Sequence, residues 1–340
     1  MKRVKPFWKD HWLENLEMYM RSYDFWEVGI TEELEREVLK ICPRKHALIV
    51  DSTSNAIWMN LYLWKKKYPN RHKVLFPNWG YPAVFKACKV LGLTPCPVDM
   101  SFKTLGMNPI LLAEELKDEN VLCVAHIESN GVIGDPETMR EIIPEEVLFI
   151  EDSAPSMLQL TAGTYGDVAM FSFSPTKPFC VGGGSVIVTD NTKFYEELKN
   201  LRHTPNYRDK SPTLNFMMSP YLMPLLQPQF AYFGYLHDMR TMLHIHYRRH
   251  LKIFEEPIIS SNAHGSIMYL SEKAECVSEA LLANDIQHRY KGYPCYDENV
   301  QRYPISNEIR QKLIDLPMHH EMDEKDVYKI CNIIKEVENA

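Results

Sequence analysis

The sequence predicts an α/β protein with two domains: a large one on a mostly parallel sheet covered by helices, residues 1–230, and a smaller C-terminal α/β domain, residues 231–340. Three observations carry this. Short apolar runs alternate with stretches of helical apolar spacing through the first half, and strands separated by helices of roughly ten to fifteen residues pair in parallel. The polar residues with chemical potential fall at the ends of those runs or just after them, where open parallel sheets bind ligands. Beyond residue 230 the alternation gives way to a long helical stretch, weak strand signals and a closing helix. A chain of 340 residues also exceeds one core, since single cores stop growing near about 250–300 residues.

The elements follow in order. Residues 47–50 read as a short buried strand, and 56–67 follow with helical spacing. Residues 73–77 are the next strand and 81–91 the next helix, ended by Gly92. Residues 94–99 make a third strand, broken by Pro95 and Pro97, and 110–116 look helical. Residues 121–126 and 147–150 are further strands. Residues 168–173 and 185–189 are expected to pair around the turn between them. The second half is read as a helix over 231–253, an irregular stretch, and a helix over 323–338.

Composition narrows the function. Apolar residues are 45% and charged residues 24%, as in a soluble globular protein. The net charge of −7 argues against bulk nucleic-acid binding. The 8 cysteines are scattered, with no CxxC pair, and read as reduced thiols of a cytoplasmic protein. The basic N-terminus lacks the apolar stretch of a secretory signal. Residues 214–237 are apolar but broken by Pro220, Pro224 and Pro228, so no membrane span is expected. His246 and His250 are spaced like a metal pair but lack a third ligand, and a polar helix face is the expected reading.

One constellation carries chemistry. The run 147–150 ends in Glu151-Asp152, and a buried carboxylate at a strand end is costly unless paired. Lys177 follows on a turn of small and apolar residues, with Gly182-Gly183-Gly184 behind it and no other charge between Asp167 and Asp190. A desolvated lysine has a lowered pKa and becomes a usable nucleophile and base. An acid and a lysine in this order suit pyridoxal phosphate: the lysine forms a Schiff base, and the acid pairs with the ring nitrogen. Ser52, Thr53 and Ser54 open a helix after the first strand, where free N–H groups and the helix dipole suit a phosphate. Read alone, that cluster is an ordinary helix cap. The segment 77–82 brings Trp79 and Tyr81 to the end of the second strand, as core aromatics or as rings stacked on a flat cofactor.

Together these residues resemble the DegT/DnrJ/StrS family of pyridoxal-phosphate-dependent sugar aminotransferases. The clearest stretch runs from Ile150-Glu151-Asp152-Ser153-Ala154, through Gly166-Asp167 and Phe171-Ser172-Phe173 to Thr176-Lys177, and on to Gly183-Gly184. Leu316-Pro317-Met318-His319 followed by Asp326-Val327 looks like the family's closing segment. The resemblance implies a fold type I transferase in which Asp152 meets the ring nitrogen and Lys177 is the Schiff-base lysine and proton carrier. It puts Ser52, Thr53, Ser54 and Ser172 at the phosphate and Tyr81 on the ring. Asn215 would reach the phosphate of the neighbouring subunit, which implies a homodimer with shared sites, and the apolar stretch 214–237 suits such an interface.

The implied activity is an aminotransferase. It would move an amino group from an amino acid, glutamate foremost, to a keto sugar carried on a nucleotide, with pyridoxamine phosphate between the half-reactions. This chain departs from the family pattern at Thr53, Pro155, Gly183 and Met217. Those changes leave room for a decarboxylase or lyase acting on an amino-acid-like or nucleotide-linked substrate. The presence of Lys177 disfavours the family's dehydratase branch, which lacks it.

Overall fold

The computed structural model describes residues 1–22, 29–203, 213–251 and 265–340. Seven strands form the main sheet: β1 (His46–Val50), β2 (Lys73–Pro77), β3 (Thr94–Val98), β4 (Val121–Ile127), β5 (Leu148–Asp152), β6 (Val168–Ser172) and β7 (Ser185–Thr189). Their order is β1-β7-β6-β5-β4-β2-β3. Strands β2 to β6 pair in parallel, and β7 runs antiparallel to both β1 and β6. All strands but β7 therefore share one direction. Their carboxyl ends lie along one edge, together with the amino end of β7.

Strands β4 to β7 are buried along their whole length, which is why they read as unbroken apolar runs. Alternate residues serve opposite faces. Leu48, Val50 and Ile187 join a cluster under the helices Thr53–Lys67, Ala83–Leu91 and Thr192–Arg202. Ala47, Ile49, Val186 and Val188 join another with Leu34 and Val38 of the helix Gly29–Ile41. β3 is not broken by its prolines: it pairs with β2 from Thr94 to Val98 at the sheet edge, where a strand can lack one row of N–H donors. The helix expected from 81 starts at Ala83 and ends at Gly92 in a left-handed cap, as the glycine predicted.

Three C-terminal strands, β8 (Ile267–Leu270), β9 (Arg289–Tyr290) and β10 (Leu313–Leu316), form an antiparallel sheet in the order β8-β10-β9. The helices Ala274–Ala283 and Glu324–Asn339 pack against it around Val277, Leu281, Ile330 and Ile334. Asp323 closes the start of the last helix with a capping box. The helix Phe233–His250 sends Leu236 into the main-sheet core and Leu243 and Tyr247 into the C-terminal one. The last residues of its expected span, 252–253, lie outside the described residues.

Two features of the packing join the parts of the chain. The stretch 214–237 places Met218, Met223, Leu226, Phe230 and Leu236 in this chain's own core. Only Leu214, Tyr221 and Tyr235 are left as large exposed apolar side chains there. Its apolar content thus answers mainly to folding. The chain's start also packs on the C-terminal sheet: Arg3 pairs with Asp315 at 2.9 Å, and the Met318 amide donates to the Arg3 carbonyl.

Candidate active site

The carboxyl edge of the main sheet opens into a cavity of about 490 Å³. That is within the usual size range of ligand pockets, roughly 300–1,000 Å³. Ser52, Thr53, Ser54, Tyr81, Asp152, Ser172 and Lys177 all line it. The topology explains the convergence. Asp152 ends β5, Ser172 ends β6, and Ser52 to Ser54 follow β1. Lys177 lies in the β6–β7 connection, which must turn at that same edge because β7 runs the other way.

Asp152 is buried, and the Ala154 amide donates to its Oδ1 at 3.3 Å. Burial pushes its pKa up to about 6, against the pull of Lys177 and the Ala154 amide. Burial likewise brings Lys177 down to about 8, while Asp152 holds it up and Arg289 and Arg3 depress it further. Both line the one cavity, and the opposite charge of each offsets part of the other's loss of water. Turn geometry fixes the lysine backbone, its amide donating to the Ser174 carbonyl at 3.0 Å.

The helix Thr53–Lys67 points its amino end at the cavity. Ser52 caps it, accepting from the Asn55 amide at 3.2 Å. The Thr53 hydroxyl donates to Ser185 Oγ at 3.0 Å. Asp51, on the same rim, is engaged by the Asn55 side-chain amide at 2.8 Å. Ser172 Oγ donates to Ser174 Oγ at 3.2 Å and accepts from the Ser174 amide. The glycine cluster closes this side. Gly184 sits at φ 98° and donates its amide to the Asp51 carbonyl, and a Cβ there would lie 2.6 Å from Met218 Sδ.

A third wall escaped the sequence reading. Glu128, Ser129 and Asn130, immediately after β4, are buried and line the cavity. Glu128 Oε2, Ser129 Oγ and Asn130 Nδ2 have no hydrogen-bond partner among the described residues. Buried polar atoms without partners are uncommon and mark places where a ligand completes the bonding. Asn130 holds φ 58° and accepts from Arg289 at 2.7 Å through Oδ1. Tyr293 closes the cavity from the C-terminal side, against Tyr81 edge to face at 5.8 Å and under the Arg289 guanidinium at 4.1 Å. The available signal was positional: polar residues directly after an apolar strand. Trp79 is fully buried and serves the core, whereas Tyr81 is half exposed at the rim.

Asn215 does not line the cavity of its own chain. It is exposed, and its side chain accepts from the Met217 amide at 3.2 Å. The histidines of the helix Phe233–His250 point elsewhere: His246 approaches Glu324 at 3.3 Å and His250 packs on Tyr328. Among the described residues no cluster of His, Cys, Asp and Glu has metal-holding geometry. The donor set fits pyridoxal phosphate: a poised lysine, a buried carboxyl, a helix start beside hydroxyls, and a close backbone approach at Gly184.

A buried acid and lysine at the carboxyl edge of such a sheet define a pyridoxal-phosphate-dependent enzyme. The chain belongs to the DegT/DnrJ/EryC1/StrS aminotransferase family, whose model matches residues 9–335. It is 21% identical over 323 residues to a GDP-perosamine synthase of Escherichia coli O157:H7, covering 87% of this chain and 88% of that one. It is 22% identical over 330 residues to the dTDP-3-amino-3,6-dideoxy-alpha-D-galactopyranose transaminase of Aneurinibacillus thermoaerophilus, covering 90% and 89%. The fold matches an E. coli GDP-4-keto-6-deoxy-D-mannose-3-dehydratase with bound hydrated pyridoxal phosphate, at a TM-score of 0.86 and 15% identity, over 98% of each chain.

Proposed function

We propose that this aminotransferase transfers an amino group from glutamate to a keto sugar carried on a nucleotide. Lys177 and Asp152 facing one cavity is the observation that carries the reading. The activities of both relatives concern nucleotide-linked sugars, which supports this acceptor class. Bound pyridoxal phosphate supplies an electron sink that stabilises negative charge at the substrate carbon. Asp152 would hold a positive charge at the ring nitrogen, Ser52, Thr53, Ser54 and Ser172 would hold the phosphate, and Tyr81 would contact the ring. Lys177, whose pKa burial lowers to about 8, takes a proton from the donor's α-carbon in its neutral form and returns one to the acceptor carbon.

The same reading extends to assembly. Exposed Asn215 completes the site of a second copy, making a homodimer with shared sites. A cytoplasmic enzyme is in keeping with the free cysteines and with the lack of any membrane-spanning helix among the described residues. A domain boundary near residue 230 fits the change of core along the helix Phe233–His250. The test is to supply glutamate and candidate keto-sugar nucleotides and follow 2-oxoglutarate. Formation that needs both substrates in catalytic amounts supports the proposal. Release of carbon dioxide from the amino acid contradicts it.

A further inference from the structure

We propose that Glu128 is a further cofactor-holding residue, its carboxyl facing the hydroxyl edge of the pyridoxal ring. The proposal rests on the cofactor orientation given above and deepens it. Pyridoxal phosphate carries its phosphate arm and its ring hydroxyl on opposite sides of the axis from ring nitrogen to aldehyde. Sheet order converts that chemistry into a prediction. β5, with Asp152 at its end, lies between β6 and β4. The residues assigned to the phosphate stand on the β6 and β1 side: Ser172 at the end of β6, and Ser52 to Ser54 after β1. With the ring nitrogen at Asp152, the hydroxyl edge is turned toward β4, whose next residue is Glu128.

Local geometry singles out Glu128 on that wall. Its amide donates to the Asp152 carbonyl at 3.1 Å, so the two residues are neighbours across the sheet. Its Oε1 accepts from Ser153 Oγ at 2.8 Å. Its Oε2 has no hydrogen-bond partner among the described residues, in a fully buried side chain that lines the cavity. Its neighbours Ser129 and Asn130 also keep an unpartnered polar atom each, but they follow one and two residues further from the end of β4. Asn130 is tied through Oδ1 to Arg289. Ser129 Oγ lies beside Gly80, where an added Cβ would be 3.2 Å away.

The charges around Glu128 decide which way the bond runs. Glu151 accepts the Tyr165 and Gly166 amides and feels Arg44, and Asp152 faces Lys177. The groups that act on Glu128 most strongly are the carboxyls of Glu151 and Asp152 and the hydroxyls of Ser156 and Ser153. Burial, then the Glu151 charge, hold it well above the usual carboxylate range. The side chain that keeps its proton donates that O–H to the ring oxygen. An ionised carboxylate in the same place would repel it.

The experiment measures affinity for pyridoxamine phosphate and for its 3-deoxy analogue, which lacks only the ring hydroxyl. Neither ligand bonds covalently to Lys177, so binding is read apart from activity. Wild-type protein should prefer the hydroxyl-bearing ligand by about 3- to 10-fold, the size of a neutral hydrogen bond. In Glu128→Ala that preference should vanish, and in Glu128→Gln, whose amide still donates, it should persist. Equal wild-type affinities, an undiminished preference in Glu128→Ala, or its loss in Glu128→Gln would each overturn the proposal. If Glu128→Ala does not fold, the wild-type pair and Glu128→Gln still decide. Failure of wild-type protein to bind either ligand overturns the cofactor assignment and this proposal with it.

Discussion

Lys177 and Asp152 are readable only as a pair, because each sets the other's charge. Burial brings the lysine down to about 8 while Asp152 resists. Only the neutral amine attacks an aldehyde, so covalent loading of pyridoxal phosphate should accelerate as pH rises and level off above about 8. In Asp152→Asn the supporting negative charge is gone and the lysine pKa falls further. The loading midpoint should then move to lower pH, and stopped-flow absorbance would follow it. A midpoint near that of an ordinary lysine in both proteins would contradict the assignment. Lys177→Ala should lower transamination by about 10²- to 10⁴-fold, the range of lost general acid–base catalysis, with the fold unchanged by circular dichroism.

At the scale of elements, the β6–β7 connection positions the chemistry. Gly184 holds a left-handed conformation against Met218, whereas a Cβ at Gly183 would meet only Leu222 at 3.7 Å. Gly184→Ala should therefore cost about 1–3 kcal/mol, read as a lower melting temperature and weaker cofactor retention, while Gly183→Ala stays close to wild type. Much of this region was legible. Apolar runs marked β1, β2 and β4 to β7, and glycine and proline marked their ends. What stayed hidden has physical causes. Prolines made β3 look broken, because a sequence does not show which strand is the edge. The helix Gly29–Ile41 was not read, although Leu34, Glu35 and Val38 are buried. Glu128 to Asn130 carry no spacing motif, and their importance appears only when β4 is set beside β5. The pairing of 168–173 with 185–189 was expected, but not that β7 would be the strand reversed against all others.

For the whole molecule, the first residues close onto the C-terminal sheet. Asp315 is fully buried between Arg3 and Arg289, both at 2.9 Å, and its Oδ1 has no partner among the described residues. Arg3→Ala leaves that carboxylate with a single cation and should lower stability by about 1–3 kcal/mol, checked by denaturant unfolding. The same change removes one of the charges that depress Lys177, so its pKa should rise slightly. Sedimentation should find a dimer, and Asn215→Ala should weaken cofactor binding without disturbing the monomer fold. The family and the cofactor follow from the whole chain, whereas the sugar depends on walls that the motifs do not reach. The most direct test is a single turnover of cofactor-loaded protein with glutamate and no sugar. The account predicts one 2-oxoglutarate released per active site, a release slowed by about 10²- to 10⁴-fold in Lys177→Ala, and a return of the starting absorption spectrum when a keto-sugar nucleotide is added. Glutamate left unchanged, or consumed with release of carbon dioxide, would contradict it.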